Sequence, residues 1–223
     1  MVFRIDLKIF VLAIILYFTK QIKIYIIIMF FALLHELSHL FMGLILNLRV
    51  KNISIMPIGF SIEFYSKKED YKDNSLRLNK HEIKKIFVEL SGPFFNLIIV
   101  FFTYFLTINS NIKNLIIYSN LSLAIFNLLP IYPLDGGRIL HSILSLFLTK
   151  KTVNLYMHRI TNIALFILTF IFSILIYYYK NIMVLFIIFY LWYIVLKENK
   201  IYKIKLKAYY GIWLIKKGNI LPF

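Results

Sequence analysis

The stretch FALLHELSHLFMGL, residues 31–44, sets a glutamate and two histidines inside an apolar run that extends from about Ile24 to Leu48. A run of that length is what a helix needs to cross the hydrocarbon core of a bilayer. The rest of the chain has the same character: 223 residues, 61% of them hydrophobic and 16% charged, with a mean hydropathy of +0.78. A soluble domain carries roughly 25% charged residues, and a single small core could not absorb so much apolar surface. Lipid is therefore the expected solvent for most of these side chains. The chain has no cysteine, which excludes disulfides and thiolate metal sites and leaves His, Asp, Glu or carbonyl oxygen to hold any metal.

Working outward from HELSH, five more apolar spans can be read. One precedes it, roughly Leu7 to Phe18; a small-residue cleavage pattern is missing after it, so a retained span is expected rather than a signal peptide. A third span runs from Ile86 to Ile108 and opens with SGPFFN. The fourth begins near Leu115 and is interrupted by NLLPIYPLDGGR before the apolar stretch Ile139 to Leu148. Ile160 to Tyr179 and Ile182 to Leu196 are the fifth and sixth. The one sizeable polar loop, Arg49 to Lys85, starts with a period-2 segment, Ile53 and Ile55 before Pro57, then Ile58, Phe60, Ile62 and Phe64, which reads as a β-hairpin or bent strand. The expectation is an all-α polytopic membrane protein with six transmembrane helices and a short membrane-associated β-hairpin or strand between the second and third. Residues 1–196 would form the membrane-embedded domain, with its core at 24–148, and 197–223 a short basic cytoplasmic tail.

Net charge is +16, which raises the question of nucleic acid. Placing the charges answers it. With the N-terminus inside and six spans crossing, 21 basic residues lie on the cytoplasmic side against four outside, at Lys20, Lys23, Lys113 and Lys180. This is the positive-inside pattern, with both termini cytoplasmic. The basic residues are topogenic, and no nucleic-acid partner is expected.

Chemistry resides in the few ionisable groups that fall within the spans. His35, Glu36 and His39 spell H-E-x-x-H. On a helix, positions i and i+4 share a face, so both imidazoles can bind one Zn²⁺ while Glu36 stands beside the attacking water as general base. Ionisable side chains in a span are costly unless they have a function. A catalytic zinc has three protein ligands and one open position. Of the acids outside the polar loop, Asp135 stands in PLDGGR, within a span broken by Pro130, Pro133, Gly136 and Gly137; irregular backbone at membrane depth lines a cavity or is buried in protein. Asp135 is the best-placed third ligand, Glu89 the alternative, and a loop turn with an Asp helix cap the plain reading of LDGG. Asp6 and Glu198 sit at span ends, where solvation is expected. His81 and His158 read as surface residues, and His141 as a packing residue near the site.

HELSH, SGPFFN and NLLPIYPLDGGR, in that order on successive spans, resemble the site-2 proteases, zinc metalloproteases that cut within or near membrane segments of their substrates. The resemblance covers residues from about 24 to 148. It implies that His35, His39 and Asp135 ligate zinc and that Glu36 is the base. Asn127, which opens the family's NxxPxxPLDG pattern, would donate to a substrate carbonyl or hold the broken helix. Asn96 and the Ser91, Gly92, Pro93 turn read as small-residue helix packing. The period-2 segment, with Ile58 and Phe60, offers an edge to which an extended substrate could add as a strand. MPIGFSIEF and the form NLLPIYPLDGGR look like the sporulation-type branch of the family. Such a branch implies as substrate a sigma-factor precursor of the pro-sigma-K type or another membrane-anchored regulator. It also implies inhibition by other membrane proteins and the membrane around the forespore as location. The PDZ or CBS domain of some family members is not expected in a tail of 27 residues after Leu196. Two rival readings are a catalytically silent membrane protein that keeps the fold to bind the same partner, and a metal transporter. An intact Glu36 argues against the first, and the lack of repeated halves against the second.

Overall fold

In the computed structural model the described residues are 2–5, 22–48, 50–56, 59–64, 75–179 and 182–216. The expected first span, Leu7 to Phe18, lies outside them, as does Ile58. The chain divides into two compact units at Leu128/Leu129.

Among the described residues, the first unit contains a three-stranded sheet and three helices. Strand β1, Val2–Ile5, pairs parallel with β2, Val50–Met56, which pairs antiparallel with β3, Gly59–Phe64. Its order β1-β2-β3 leaves β3 at an edge. Helix α1, Ile22–Ile45, carries HELSH. It ends where Asn47 takes the left-handed conformation, φ 56°, with Leu48 N–H donating to Gly43 O at 2.8 Å and Asn47 N–H to Leu44 O at 3.0 Å. Asparagine tolerates that conformation better than most residues, and the two bonds cap carbonyls that the helix leaves open. The chain can then turn straight into β2. Gly43 lets α1 approach β3, because a Cβ there would overlap the ring of Phe64.

Helix α2, Ser75–Phe105, contains Pro93 and packs against α1 and α3. Helix α3, Ser110–Asn127, starts at Asn109, whose side chain accepts from Asn111 N–H at 2.9 Å. Lys113 donates back to Tyr104 O at 2.6 Å and Leu106 O at 3.2 Å, so a cation closes the carbonyl end of α2.

The second unit opens with Leu129–Leu134, which includes a cis Tyr132–Pro133 bond. Helix α4 spans Asp135–Phe147, α5 Lys150–Tyr179 and α6 Ile182–Lys216. Gly137 is required where it stands: a Cβ would lie 2.6 Å from the backbone of Ile131 and Tyr132. Helices α5 and α6 pack along apolar Val153, Leu165, Leu191 and Val195. Polar contacts join them too. Asn199 Nδ2 donates to Asn162 Oδ1 at 2.9 Å, Trp192 Nε1 donates to Thr169 Oγ1 at 3.2 Å, and His158 stacks on Tyr202 with ring centroids 4.2 Å apart.

Helix α6 itself runs on through residues 197–216, since the sequence after Leu196 has no proline or glycine before Gly211 to stop it. One expectation needs correction. His158 is no bare surface residue, because its ring is held between Tyr202 and Asn162. Strand β1 went unforeseen: four residues carry little periodicity, and their pairing is with a strand some 50 positions away.

Polar side chains are buried alongside apolar ones, and many large apolar side chains are exposed. His35, His39, Asn96, Ser119 and Asn120 are buried, while Phe41, Phe94, Phe101, Phe105 and Ile125 are exposed. Among the described residues, three helices, at Tyr25–Ile45, Asn79–Phe105 and Lys150–Tyr178, are long and apolar enough to cross a membrane. Exposed apolar surface on that scale has lipid as its natural partner.

Candidate metal centre

One turn of α1 separates His35 from His39, and both rings are buried. Their Nε2 atoms are 3.1 Å apart. Two imidazole ligands at about 2.0–2.1 Å from a tetrahedral zinc would have nitrogens about 3.3 Å apart, so the pair already matches one edge of such a site. No rearrangement of α1 would be needed.

Helix α2 holds both rings from behind. His39 Nδ1 lies 2.7 Å from Val88 O, and since a carbonyl can only accept, Nδ1 carries the proton and donates. The Nε2 lone pair of His39 is thereby turned toward His35, the tautomer a metal requires. Ser91 Oγ stands 3.4 Å from the same Nδ1 and donates to Val88 O at 2.6 Å. His35 Nδ1 faces the side-chain amide of Asn96 at 3.2 Å. Gly92 is the residue of α2 that faces the pair: a Cβ there would overlap Nε2 of both histidines. The glycine of SGP thus leaves space at the ring nitrogens, beyond allowing the helices to approach. The donors and the space beside them fit a zinc ion.

Asn127, the last residue of α3, places Nδ2 at 3.4 Å from His35 Nε2. Glu36 is half-buried on α1, next in sequence to His35. In the second unit, Asp135 is buried in the first turn of α4. The N-cap position falls to Leu134, which makes no side-chain cap bond, so LDGG is not an ordinary Asp-capped turn. A carboxylate in that first turn is favoured by the helix dipole. Phe60 lies on β3, its backbone paired with Ile55. Glu89 is half-buried on α2, one turn before Pro93.

Asn96 is the residue that sequence reading assigned to packing and the structure brings to the histidines. Nothing in SGPFFN alone distinguishes the two roles until α1 is seen to cross α2 at that asparagine.

Among the described residues, three helices are long and apolar enough to cross a membrane, and one of them carries HExxH with its two histidines buried side by side. The chain belongs to peptidase family M50, whose model matches residues 23–113 and 107–175. It is 28% identical over 131 residues to stage IV sporulation protein FB of Bacillus subtilis, covering 57% of this chain and 42% of that protein. Over 120 residues it is 33% identical to zinc metalloprotease MJ0392 of Methanocaldococcus jannaschii, covering 50% of this chain and 31% of that one. The matches thus span less than half the length of either relative. The fold is similar to that of a solved site-2 protease from Methanocaldococcus jannaschii, with TM-score 0.61, 21% identity, and coverage of 88% of this chain and 89% of that one.

Proposed function

We propose that this chain is an intramembrane zinc endopeptidase in which His35, His39 and Asp135 hold the metal and Glu36 is the general base. The observation that carries this reading is the pair of Nε2 atoms on α1, 3.1 Å apart and backed by α2, with Gly92 leaving the space beside them open. A third ligand is required for a hydrolytic site. Asp135 supplies it as a buried carboxylate in the motif that the family resemblance singles out.

When bound, zinc supplies a Lewis acid for the peptide carbonyl and eases deprotonation of water near neutral pH. Glu36 takes the proton from the attacking water and delivers it to the amide nitrogen that leaves. Asn127, beside the metal-facing nitrogen of His35, donates its amide N–H to the carbonyl oxygen as negative charge develops there. A helical substrate hides its carbonyls in its own hydrogen bonds. The edge strand β3 offers backbone partners to an unwound segment, and Ile58 and Phe60 are the residues we assign to substrate binding there.

The finer reading is a six-span protein with both termini in the cytoplasm, supported by the distribution of basic residues. Its substrate is a membrane-associated regulator, a sigma-factor precursor of the pro-sigma-K type processed during sporulation at the membrane around the forespore. Supporting it are the MPIGFSIEF and NLLPIYPLDGGR motifs and the sporulation protein among the relatives. Other membrane proteins would restrain it.

Co-production of the chain with such a precursor tests the proposal. Cleavage is expected with the wild-type chain, with a loss of about 10²–10⁴-fold in Glu36→Gln and loss of zinc in Asp135→Ala. Cleavage that survives Glu36→Gln sinks the mechanism, and zinc content that survives Asp135→Ala sinks the ligand assignment.

A further inference from the structure

The two histidines are held in different ways. His39 donates from Nδ1 to a backbone carbonyl, Val88 O, which fixes its tautomer whatever the surrounding side chains do. His35 has its Nδ1 against a side chain, the amide of Asn96, at 3.2 Å. That amide is fully buried, and its Oδ1 has no hydrogen-bond partner among the described residues. A buried amide oxygen left in that condition is costly, because it has given up its water without gaining a donor.

A histidine that ligates a metal through Nε2 must keep its proton on Nδ1, and that proton needs an acceptor. The two ends of an asparagine amide exchange places by a half-turn about χ2, and their assignment follows from the hydrogen-bond network. With Oδ1 turned toward Nδ1, the orphaned oxygen gains a donor and His35 Nε2 presents its lone pair beside that of His39. With Nδ2 toward Nδ1 the proton is driven to Nε2, where it would block a metal.

We infer that Asn96 is the positioning residue for the His35 ligand: Oδ1 accepts from His35 Nδ1–H and so sets both the ring orientation and the tautomer that metal binding needs. This inference rests on the zinc reading above. It also explains why a fully buried asparagine sits in the apolar stretch of α2, where a leucine would pack with no unsatisfied polar atom. A hydrogen-bond acceptor behind a metal-ligating histidine is worth about 10–100-fold in metal affinity.

The test uses the full chain in detergent, with zinc affinity measured by competition against a chromophoric chelator. Asn96→Leu should bind zinc about 10–100-fold more weakly, and Asn96→Asp, whose carboxylate still accepts from Nδ1–H, should restore affinity to within a few-fold of wild type. A merely space-filling role predicts the opposite order, since leucine suits an apolar crossing better than a carboxylate. If Asn96→Leu retains affinity within about twofold, or Asn96→Asp does not rescue, the inference is overturned. Should Asn96→Leu fail to fold by circular dichroism, ¹⁵N-histidine spectra of the zinc-loaded wild type decide. A protonated Nδ1 and metal-bound Nε2 on His35 support the inference, and the reverse tautomer ends it. His39→Ala is the control. Zinc that remains bound in that variant removes the metal reading itself, whereas zinc lost there but kept in Asn96→Leu removes only the role of Asn96.

Discussion

Two places in this molecule bury polar side chains between apolar helices, and they do so differently. Between α5 and α6 the polar groups close on one another: Asn162 with Asn199, Trp192 with Thr169, His158 stacked on Tyr202. Between α1 and α2 they converge instead. The Val88 carbonyl and the Asn96 amide each meet an Nδ1 atom, and the two Nε2 atoms are brought to 3.1 Å of each other. In a chain whose surroundings are lipid there is little hydrophobic drive for helices to associate, so mutual polar contacts serve as glue. A convergent set whose ring nitrogens face one another, with space kept beside them by a glycine, serves chemistry.

Gly92→Ala should break the convergent region most severely. The added methyl overlaps both Nε2 atoms, so zinc affinity is expected to fall about 10–100-fold, measured by chelator competition, while the α5/α6 contacts are untouched. Exchanging Asn162 and Asn199 for leucine should affect stability alone. Each single change should cost about 0.6–1.7 kcal/mol, and the double variant less than the sum of the two, because the second change removes an already orphaned partner. Thermal unfolding in detergent measures this, and zinc content should not change.

The smallest effect belongs to Glu198 on α6. Burial raises its carboxyl above the ordinary carboxylate range, opposed by Lys205, Lys197 and Arg138. For an acid with a raised pKa in the folded state, the stabilising form is the protonated one. Its contribution is therefore present at low pH and lost as pH rises through the raised value. Glu198→Gln should accordingly be slightly more stable than wild type at pH 8, and the difference should vanish toward pH 4. Partial exposure and three neighbouring cations hold the effect to less than about 1 kcal/mol.

Much of the convergent region was legible because its signal is local. HELSH is a one-turn spacing on a helix, and ionisable residues stand out in so apolar a chain. The closed region was not legible. Asn162 and Asn199 lie 37 positions apart, and nothing in either segment pairs them. Glu198 was expected to be solvated because it follows the last apolar run, but α6 continues past Leu196, and Glu198 lines one cavity with His158 and Asn154 of α5. The same limit hid Asn96. Its sequence neighbours explain close packing well enough, and its role depends on where a helix some 60 residues earlier crosses. Strand β1 shares that fate, since parallel pairing with β2 leaves no short-range mark.

Zinc stoichiometry of the purified chain tests the central claim most directly, with wild type compared with His39→Ala and with the Asn162→Leu, Asn199→Leu double variant. The account predicts one zinc per chain in the wild type and in the double variant, and background zinc in His39→Ala. One zinc per chain in His39→Ala, or zinc lost from the double variant while it remains folded, would contradict it.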